Sequence, residues 1–515
     1  MKKIHNKIQD IFELSSILKK HKLNRQKIVL CHGVFDLLHI GHIKYFEEAP
    51  PPPPPKSSGD ILIVTITPDK YVNKGPHRPA FSENLRAESI ASLECVDFVA
   101  INKWPTAIET IKTLNIDIYA KGSDYKDPSN DITGNISKEE DAVKSIGGKI
   151  IFTDDIVFSS SNLINKYISI YDPKIKDYLD KISSKFSIET INSYLENSKS
   201  LNVLVIGETI IDEYQYGELM GKTSKEPILA TKATTSEKFA GGVIAVANHV
   251  ADFSNKVTLV STLGSYNTQE EFISSNLKAN INPKFIYKEN SPTIVKRRFL
   301  EAQLIQKLFE VYEMNDEELT NTQDTQLCSL LEEIVPSQDL VIVVDYGHGM
   351  LTSNAINILN NNSKYLAVNT QANAGNKGIN PISRYKKVNY TSFASHEISI
   401  EARKRSGDIK ELIKQISSQL SCELITVTRG KDGSISYNDK EGFIESPALS
   451  NQVIDRMGAG DSVLAITALC AAQKAPLEIL SFIGNVAGAQ AVATLGHSKS
   501  INKENLIKHI NSLLK

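Results

Sequence analysis

Short apolar runs alternate with helix-patterned segments along the first third of the chain. The segments at 82–93 and 107–114 have the spacing of amphipathic helices, and the apolar runs between them suit buried strands. Strand and helix in alternation predict a parallel, doubly wound α/β sheet. The predicted strands are 27–30, 61–66, 96–101, 116–120 and 149–152.

A second α/β pattern begins near residue 202. Residues 171–200 are polar and helix-prone, so we interpret them as a linker of one or two helices. The sequence thus predicts two doubly wound parallel-sheet domains, 1–170 and 201–515, on either side of this linker. The predicted strands of the second domain are 202–206, 257–261, 340–345, 365–369 and 424–428.

Composition narrows the class of protein. The 515 residues are 41% hydrophobic and 23% charged with a net charge of −2, which favours globular domains and gives no basic surface for nucleic acid. The five cysteines form no C-x-x-C pair, which argues against a zinc site and a disulfide scaffold. With no signal-peptide pattern and no long apolar run, we expect a cytoplasmic enzyme that does not engage a membrane.

Six consecutive prolines, Pro50 to Pro55, follow a predicted helix. Because proline cannot continue a helix, the helix must end near Ala49, and the run favours polyproline II. It suits either a tolerated surface insertion, natural or engineered, or a ligand for a partner protein.

The string G-x-F-D-x-x-H-x-G-H occupies residues 33–42, between a predicted strand and a predicted helix. A helix start offers backbone N–H groups to phosphate, and Gly33 and Gly41 allow close approach of a ligand. His39 and His42 share one face of the first turn and can donate hydrogen bonds to an α-phosphoryl group. This arrangement suits nucleotidyl transfer, in which the protein positions the reactants and neutralises charge.

The string closely resembles the signature of the cytidylyltransferase-like nucleotidyltransferases, and the resemblance extends to about residue 170. It implies that His39, His42 and Lys121 are catalytic. The subfamily that matches best is the adenylyltransferase half of the bifunctional heptose-phosphate enzymes, although no residue distinguishes adenine from cytosine. The implied nucleotide-binding residues are Gly33, Phe35, Asp36, Gly41, Lys74, Arg86, Asp124, Ser159, Ser160 and Ser161.

A second motif, DRMGAGD at residues 455–461, precedes an apolar helix. Its glycines can form an anion hole, and Asp461 can accept a proton from a substrate hydroxyl, which is the chemistry of phosphoryl transfer. With its context, the motif resembles the PfkB/ribokinase family over about residues 200 to 515.

The resemblance implies a role for each of several further residues, and its best match is the kinase half of the heptose-phosphate enzymes, in which the kinase comes first. The implied nucleotide-binding residues are Thr428, Gly430, Gly433, Gly458, Ala459, Gly460 and Asn485; Asp212, Gly241, Gly242 and Asn248 would bind the sugar, and Glu397 a metal.

Several positions depart from the kinase pattern. Arg456 and Met457 stand where the family has Thr-x. After the central strand, where the heptose kinases usually have Asp-Pro-Lys, residues 369–376 read Asn-Thr-Gln-Ala-Asn-Ala-Gly-Asn. Glu397 lacks the asparagine of the family's Asn-x-x-Glu, and Ala245 replaces an early asparagine. These changes suggest a different substrate or a domain that only binds.

The leading hypothesis is a sugar kinase fused to a sugar-phosphate nucleotidyltransferase that supplies an activated, heptose-like sugar for a surface polysaccharide. It implies Mg²⁺, ATP, and ATP or CTP as nucleotidyl donor. The alternatives are an active transferase, using CTP and a polyol or other phosphate, with a non-catalytic kinase-like module, and a nucleotide sensor without turnover. We expect a homodimer formed through a ribokinase-like lid near residues 213–238.

Overall fold

The computed structural model describes residues 6–49, 60–75, 78–122, 135–153, 172–302, 306–404, 407–450 and 453–515. The proline run and the predicted nucleotide-binding residues Asp124, Ser159, Ser160 and Ser161 lie outside these ranges. The chain divides into two compact units. One comprises Met1–Asp172 with Ile507–Lys515, and the other comprises Pro173–Leu506.

The first unit is built on a five-stranded sheet of order β3-β2-β1-β4-β5, in which every pairing is parallel. Apolar clusters cover both faces of the sheet, as continuous apolar strands require. The strands are β1 Ile28–Gly33, β2 Ile61–Ile66, β3 Phe98–Ile101, β4 Ile118–Lys121 and β5 Lys149–Phe152. The helices are α1 Ile11–Leu23, α2 Ile40–Glu48, α3 Glu83–Ala91, α4 Ile108–Leu114 and α5 Asn135–Ser145.

Every strand predicted in the first unit is present, but some ends differ. β3 begins at Phe98 rather than at residue 96, because the Asp97 carboxylate accepts a hydrogen bond from Leu62 N at 2.8 Å and turns the chain before the ladder starts. β1 extends to Gly33 and so carries the sheet up to the histidine motif.

The second unit contains a nine-stranded sheet of order β10-β9-β6-β13-β14-β15-β16-β17-β18. The pairings from β10 to β16 are parallel, and the last two are antiparallel. Its strands are β6 Asn202–Gly207, β9 Lys256–Tyr266, β10 Ile281–Pro292, β13 Leu340–Asp345, β14 Leu366–Thr370, β15 Tyr390–Ala394, β16 Leu424–Thr428, β17 Ser434–Asn438 and β18 Gly442–Ser446.

The second unit also contains a separate four-stranded sheet of order β12-β11-β7-β8, which is covalently connected to the large sheet along the chain. The long hairpin β7 Thr209–Lys222 and β8 Leu229–Gly242 includes the predicted lid. The strands β11 Ile294–Glu301 and β12 Gln306–Glu313 were not predicted, and neither were β10, β15, β17 and β18 of the large sheet. Apolar side chains at the hairpin tip are exposed, among them Met220 at 71% and Leu229 at 61%.

The helices of the second unit pack on both faces of its large sheet, so the fold is doubly wound, as predicted. Residues 173–197 form two helices, in the segment that we interpreted as a linker. The helices are α6 Pro173–Lys185, α7 Ile188–Asn197, α8 Val243–Ala251, α9 Glu270–Asn276, α10 Asn321–Ile334, α11 Ser353–Asn362, α12 Ser395–Glu401, α13 Ile409–Leu420, α14 Ala459–Ala472 and α15 Leu477–Val492. The last helix, α16 Lys503–Leu514, begins in the second unit, and its residues from Ile507 onward belong to the first.

The described part of the chain contains no helix that is long and apolar enough to cross a bilayer. All five cysteines lie in described residues and are free thiols.

Two candidate active sites

The loop from Gly33 to His42 connects β1, at the centre of the first sheet, to α2. Phe35 adopts the left-handed region at φ 49° and turns its ring back over the loop. A methyl group at Gly33 would lie 2.9 Å from Phe35 Cζ, so the glycine makes room for this ring. The same ring packs on His42 and Phe46, with centroids 5.2 and 5.1 Å apart. Gly33 and Phe35 therefore shape the loop that carries the histidines.

The two predicted catalytic histidines lie together at the start of α2. His39 is the N-cap residue, and its Nδ1 accepts the Gly41 N–H at 3.2 Å. A neutral imidazole that accepts at Nδ1 carries its proton on Nε2. The His39 and His42 rings stack with centroids 3.8 Å apart and planes 25° from parallel. Sequence spacing predicted the shared face, and the stacking holds the rings as one unit.

Both histidines favour the neutral form. Burial, with smaller contributions from His39 and Lys74, lowers the pKa of His42 to about 3. Burial also lowers the pKa of His39. The backbone of Leu37 accepts a hydrogen bond from His42, so at neutral pH the Nε2–H of His39 is the donor that this pair can offer to a phosphoryl oxygen. Positive charge for such a group has to come from other side chains.

Asp36, which we predicted to bind nucleotide, also organises the neighbouring chain. Its buried carboxylate accepts from Ala80 N at 2.7 Å and Phe81 N at 3.2 Å, and it pairs with Arg78 Nη1 at 3.3 Å. The aspartate of the motif thus fixes the 78–81 segment against the histidine loop.

Arg86 likewise donates to the protein rather than into an open site. Its buried guanidinium donates to the carbonyl oxygens of Phe81 and Thr67 at 2.9 and 3.0 Å and to that of Val34, and it pairs with Asp69. All three guanidinium nitrogens have protein acceptors, and each acceptor lies in a loop that follows a strand or precedes α3. Arg86 is therefore a positioning residue in this structure.

Two lysines lie near the histidines. Lys74 is buried, and this burial, together with nearby Arg78, Lys515 and Lys508, lowers its pKa to about 8, against the opposing effect of Asp36. Lys121, at the end of β4, pairs with Glu139 Oε2 at 2.9 Å. Both lysines can still offer positive charge to a phosphate, Lys121 at the expense of a buried ion pair.

Two residues in this unit were missed from sequence. Glu139 on α5 accepts from both Lys121 and the Tyr119 hydroxyl, the latter at 3.0 Å. His32, one residue before the motif, bonds Thr65 Oγ1 through Nδ1 at 2.9 Å, and burial lowers its pKa to about 3. No sequence signal marked Glu139, because its partner is distant along the chain.

The second candidate site lies where β13, β14 and α14 meet in the second unit. Asp461, in the first turn of α14, is buried, and its Oδ1 accepts from Gln371 Nε2 at 2.9 Å and the Tyr346 hydroxyl at 3.3 Å. Burial raises the pKa of Asp461 and nearby Asp212 raises it further, whereas His497, the Tyr346 bond and Lys296 lower it. Gln371 is one of the departures from the family pattern, and here it contacts the predicted base.

The start of α14 lies at Gly458. This residue is the N-cap in the left-handed conformation, φ 73°, and no described side chain caps the helix. The Ala459 N–H donates to Arg456 O at 3.4 Å, so an anion would meet the Gly460 N–H and the positive end of the helix dipole. The predicted anion hole is thus compatible with phosphate.

The predicted sugar ligand Asp212 already has charged neighbours. Its Oδ1 accepts from Arg298 Nη1, and its Oδ2 lies 3.6 Å from His497 Nε2. A methyl group at Gly241 would overlap Oδ2 of Asp212, so this glycine makes room for the carboxylate. Gly242, at φ 57°, begins α8. Arg298 and His497 were both missed from sequence.

The other residues predicted to bind sugar or nucleotide in the second unit lie on several different elements. Asn248 bonds Asn276 O at 2.9 Å and Lys278 N at 3.1 Å, which ties α8 to the chain after α9. Asn485 on α15 donates to Ser434 Oγ at 2.7 Å. The remaining predicted nucleotide-binding residues, Thr428, Gly430 and Gly433, form the end of β16 and the turn after it.

Glu397 lies beside the predicted base but is held by backbone. Its carboxylate accepts from Ala394 N at 2.7 Å and Ala372 N at 3.2 Å, and burial raises its pKa to about 7. A cavity of about 290 Å³ is lined by Glu397, Gln371 and Ala372 among others. Within the described ranges, no group of three or more His, Cys, Asp or Glu side chains could hold a metal by itself.

Comparison with known proteins matches these two sites to two families. Residues 200–504 match the model of the pfkB family carbohydrate kinases, and the chain belongs to this family. Residues 30–167 match the cytidylyltransferase-like family, so the transferase-like region precedes the kinase region. Both resemblances inferred from sequence are confirmed.

Curated proteins that are similar in sequence match only part of this chain. The chain is 27% identical over 319 residues to the "Bifunctional protein HldE" of Marinomonas sp. (strain MWYL1), over 61% of this chain and 65% of that protein. It is 35% identical over 171 residues to the protein of that name from Citrifermentans bemidjiense, over 32% of each chain. The chain therefore spans about two thirds or less of the length of these relatives.

Solved structures similar to the chain include two kinases. A mutant of phosphofructokinase-2 from Escherichia coli has a TM-score of 0.49 and 17% identity, and covers 61% of this chain and 99% of its own. Ribokinase from Thermotoga maritima has a TM-score of 0.48 and 17% identity, and the match covers 59% of this chain and 98% of the ribokinase chain.

The buried, neutral His32 predicts a pH effect on the first unit. The unfolded chain binds a proton at this residue below its ordinary pKa of 6.5, whereas the folded form does so only near 3. Its contribution to the free energy of unfolding is therefore present above pH 6.5 and lost as the pH falls toward 3. We expect His32→Gln to reduce the slope of unfolding free energy against pH between 5 and 4 by about 1.4 kcal/mol per pH unit.

Urea unfolding at several pH values measures this slope. Thr65→Val is the control, since it removes the hydrogen bond of His32 but no titrating group, and it should lower stability without changing the slope. An unchanged slope in His32→Gln would show that His32 is protonated in the folded protein.

The hydrogen bonds of Arg86 predict that replacing this residue lowers the stability of the fold. We expect Arg86→Met to lower the free energy of unfolding by about 2–4 kcal/mol, because four protein acceptors lose their donor and one of them is a carboxylate. Lys112→Met, in an exposed pair with Glu109, should cost less than about 1 kcal/mol. A normal stability of Arg86→Met combined with weakened nucleotide binding would instead support the predicted phosphate contact.

Proposed function

We propose that the chain is a bifunctional enzyme that phosphorylates a sugar and joins a nucleotide to the resulting sugar phosphate. The observation that carries the transferase half is the stacked, neutral pair His39 and His42 at the start of α2. The buried Asp461 beside an uncapped helix start supports the kinase half. We propose that residues 1–170 hold the transferase, 201–515 the kinase, and 171–200 the link.

In the transferase step, a phosphate oxygen of the acceptor attacks the α-phosphorus of a nucleoside triphosphate and pyrophosphate leaves. Nε2–H of His39 would donate to a phosphoryl oxygen at the α2 start, and the stacked ring of His42 would hold it in position. Lys74 and Lys121 would supply the positive charge that neutral imidazoles cannot. The roles proposed for Asp124 and Ser159–Ser161 rest on the sequence resemblance alone.

In the kinase step, Asp461 accepts the proton of a sugar hydroxyl as its oxygen attacks the γ-phosphorus of ATP, and ADP leaves. Gln371 and Tyr346 donate to one oxygen of Asp461, which leaves the other for the substrate. Burial that raises the pKa of this carboxylate also makes it a better base. The backbone donors of α14 would hold the transferred group.

Both steps use Mg²⁺ to offset phosphate charge. Magnesium is usually held by one or two carboxylates together with substrate phosphates, so the ion would enter with the nucleotide. Glu397, beside the cavity and Asp461, is the carboxylate that would hold it.

For the substrate, we propose a heptose-like sugar phosphate and a place in surface polysaccharide synthesis, with ATP or CTP as donor. The resemblance to the heptose-phosphate enzymes and the curated relatives named HldE support this choice. We further propose a homodimer formed through the β7–β8 hairpin, whose tip exposes Met220 and Leu229.

A second candidate function keeps the transferase but makes the kinase-like unit a binding or dimerisation module. The engagement of Asp212 by Arg298 and His497 favours it, because the carboxylate then has less capacity for sugar hydroxyls.

Pyrophosphate release tests the transferase. ATP and CTP are combined with a panel of sugar and polyol phosphates, and we expect release with one pair. His39→Ala should lower this rate by about 10²–10⁴-fold, because a donor to the reacting phosphoryl group is lost. The control is His21→Ala. His21 lies on α1 and its ring bonds Gln26, so this variant should retain the rate. Full activity of His39→Ala would refute the assignment.

Phosphorylation of a sugar panel by ATP tests the kinase. Asp461→Asn should lower kcat by about 10²–10⁴-fold with little change in ATP affinity, since the amide cannot accept the proton. Asp180→Asn, an exposed carboxylate on α6, is the matched control. Equal turnover in Asp461→Asn and the unmodified protein would favour the non-catalytic module.

A further inference from the structure

The predicted base Asp461 receives hydrogen bonds from two residues on different loops. Gln371 follows β14 and donates through Nε2 at 2.9 Å, and Tyr346 follows β13 and donates through its hydroxyl at 3.3 Å. Burial raises the pKa of Tyr346 well above its ordinary value, so the hydroxyl keeps its proton. The orientation of the base therefore depends on how two separate loops are held together.

Asn376 joins these two loops through one amide nitrogen. Its Nδ2 donates to the backbone carbonyl oxygen of Gln371 at 2.6 Å and to that of Tyr346 at 2.7 Å. A side-chain amide has two N–H donors, so this nitrogen can satisfy both carbonyl groups at once. Asn376 is only 3% exposed, and it therefore fixes, from inside the protein, the backbone of both residues that donate to the base.

The orientation of this amide is set by its own turn. Asn376 Oδ1 accepts from Asn373 N at 3.0 Å and from Gly378 N at 2.9 Å, and Asn373 Oδ1 accepts from Asn376 N at 3.0 Å in return. The reverse orientation of the amide would place its oxygen against two carbonyl oxygens and its nitrogen against two N–H groups. The turn therefore determines that Nδ2 faces the two loops.

Gly347 makes room for the amide beside Tyr346. This glycine has φ 70°, and a methyl group on it would lie 2.8 Å from Asn376 Nδ2. A side chain at position 347 would therefore push Asn376 away from the carbonyl group that it holds. Asn373 Nδ2 adds a second donor to Tyr346 O at 2.9 Å, but the link between the two loops runs through Asn376, which contacts both carbonyl groups.

We propose that Asn376 is a positioning residue of the kinase site, which holds Gln371 and Tyr346 in the arrangement that orients Asp461 toward the sugar hydroxyl. This inference rests on the proposed kinase function. Asn376 lies in the segment 369–376 that departs from the pattern of the heptose kinases, so this segment carries a positioning role of its own. The residue need not contact the reacting atoms, because it acts through the two residues that donate to the base.

Kinetics in two backgrounds test this role. ATP-dependent phosphorylation is measured with mannose 6-phosphate, fructose 6-phosphate and sedoheptulose 7-phosphate, and kcat and KM are compared for the sugar phosphate that reacts fastest. In the unmodified protein we expect Asn376→Ala to lower kcat by about tenfold and to change the KM for this sugar phosphate by less than about twofold, because a displaced base slows the chemical step.

The second background removes both donors to the base, as Gln371→Met combined with Tyr346→Phe. There Asn376→Ala should lower kcat by less than about twofold, since Asn376 has no donor left to position. Thermal unfolding should show a similar loss of stability in both backgrounds. A positioning role thus predicts a kinetic effect that disappears with the donors, whereas a merely structural role predicts the same loss of kcat in both backgrounds.

A matched control and a second variant make the result specific. Nδ2 of Asn280 also donates to two backbone carbonyl oxygens, those of Ala251 and Ser254, at 2.8 and 2.9 Å. Asn280→Ala should therefore lower stability and leave kcat within about twofold of the unmodified protein. Asn376→Ser keeps a polar group in the turn but cannot reach both carbonyl groups, and it serves the same comparison if the alanine variant does not fold.

The possible outcomes separate the hypotheses. An unchanged kcat in Asn376→Ala, or an equal loss of kcat in both backgrounds, would overturn the proposal and leave the kinase assignment intact. Absence of phosphorylation by the unmodified protein with all three sugar phosphates would refute the kinase assignment for this class of substrate, and this inference with it.

Discussion

Both candidate sites depend on the same constraint: the first N–H groups of a helix have no partner within the helix. In the first unit the parallel strand β1 leads through Gly33 to α2, and in the second the loop after the antiparallel edge strand β18 leads through Gly458 into α14. The two units use these helix starts differently. His39 caps α2 with its own ring, whereas no described side chain caps α14.

The loops around both sites are held by buried carboxylates that accept backbone N–H groups. Asp36 holds residues 80 and 81, Asp455 holds 457 and 496, and Glu208 accepts from Tyr346 N and His348 N. Burying a carboxylate is unfavourable, and burial with nearby Asp345 raises the pKa of Glu208 to about 7. Several backbone donors offset this cost, so each carboxylate fixes a loop geometry that side-chain packing alone would leave variable.

The strands and the paired histidines could be predicted from sequence because their signals are local. Apolar runs indicated both parallel sheets, and the spacing of His39 and His42 indicated their shared face. Long-range partners could not be predicted in this way. Nothing near Arg86 shows that it donates to Val34 and Thr67, and nothing near Asp212 marks Arg298 or His497. The strands β11 and β12 were missed because their burial runs against the usual strand pattern. The charged side chains of Lys296 and Arg298 are buried in β11, whereas the apolar side chains of Phe309 and Val311 are exposed in β12.

The departures from the kinase pattern take on a physical meaning when they are placed in the fold. Gln371, in the 369–376 segment that departs from the kinase pattern, donates to Asp461 through a neutral amide. Burial raises the pKa of this carboxylate, and a neutral amide adds no positive charge to oppose it. Lys296 and His497, which lie on other elements, both lower the pKa of Asp461. The groups that offset the burial of the predicted base thus come from elements distant along the chain, which is compatible with the proposed phosphoryl transfer.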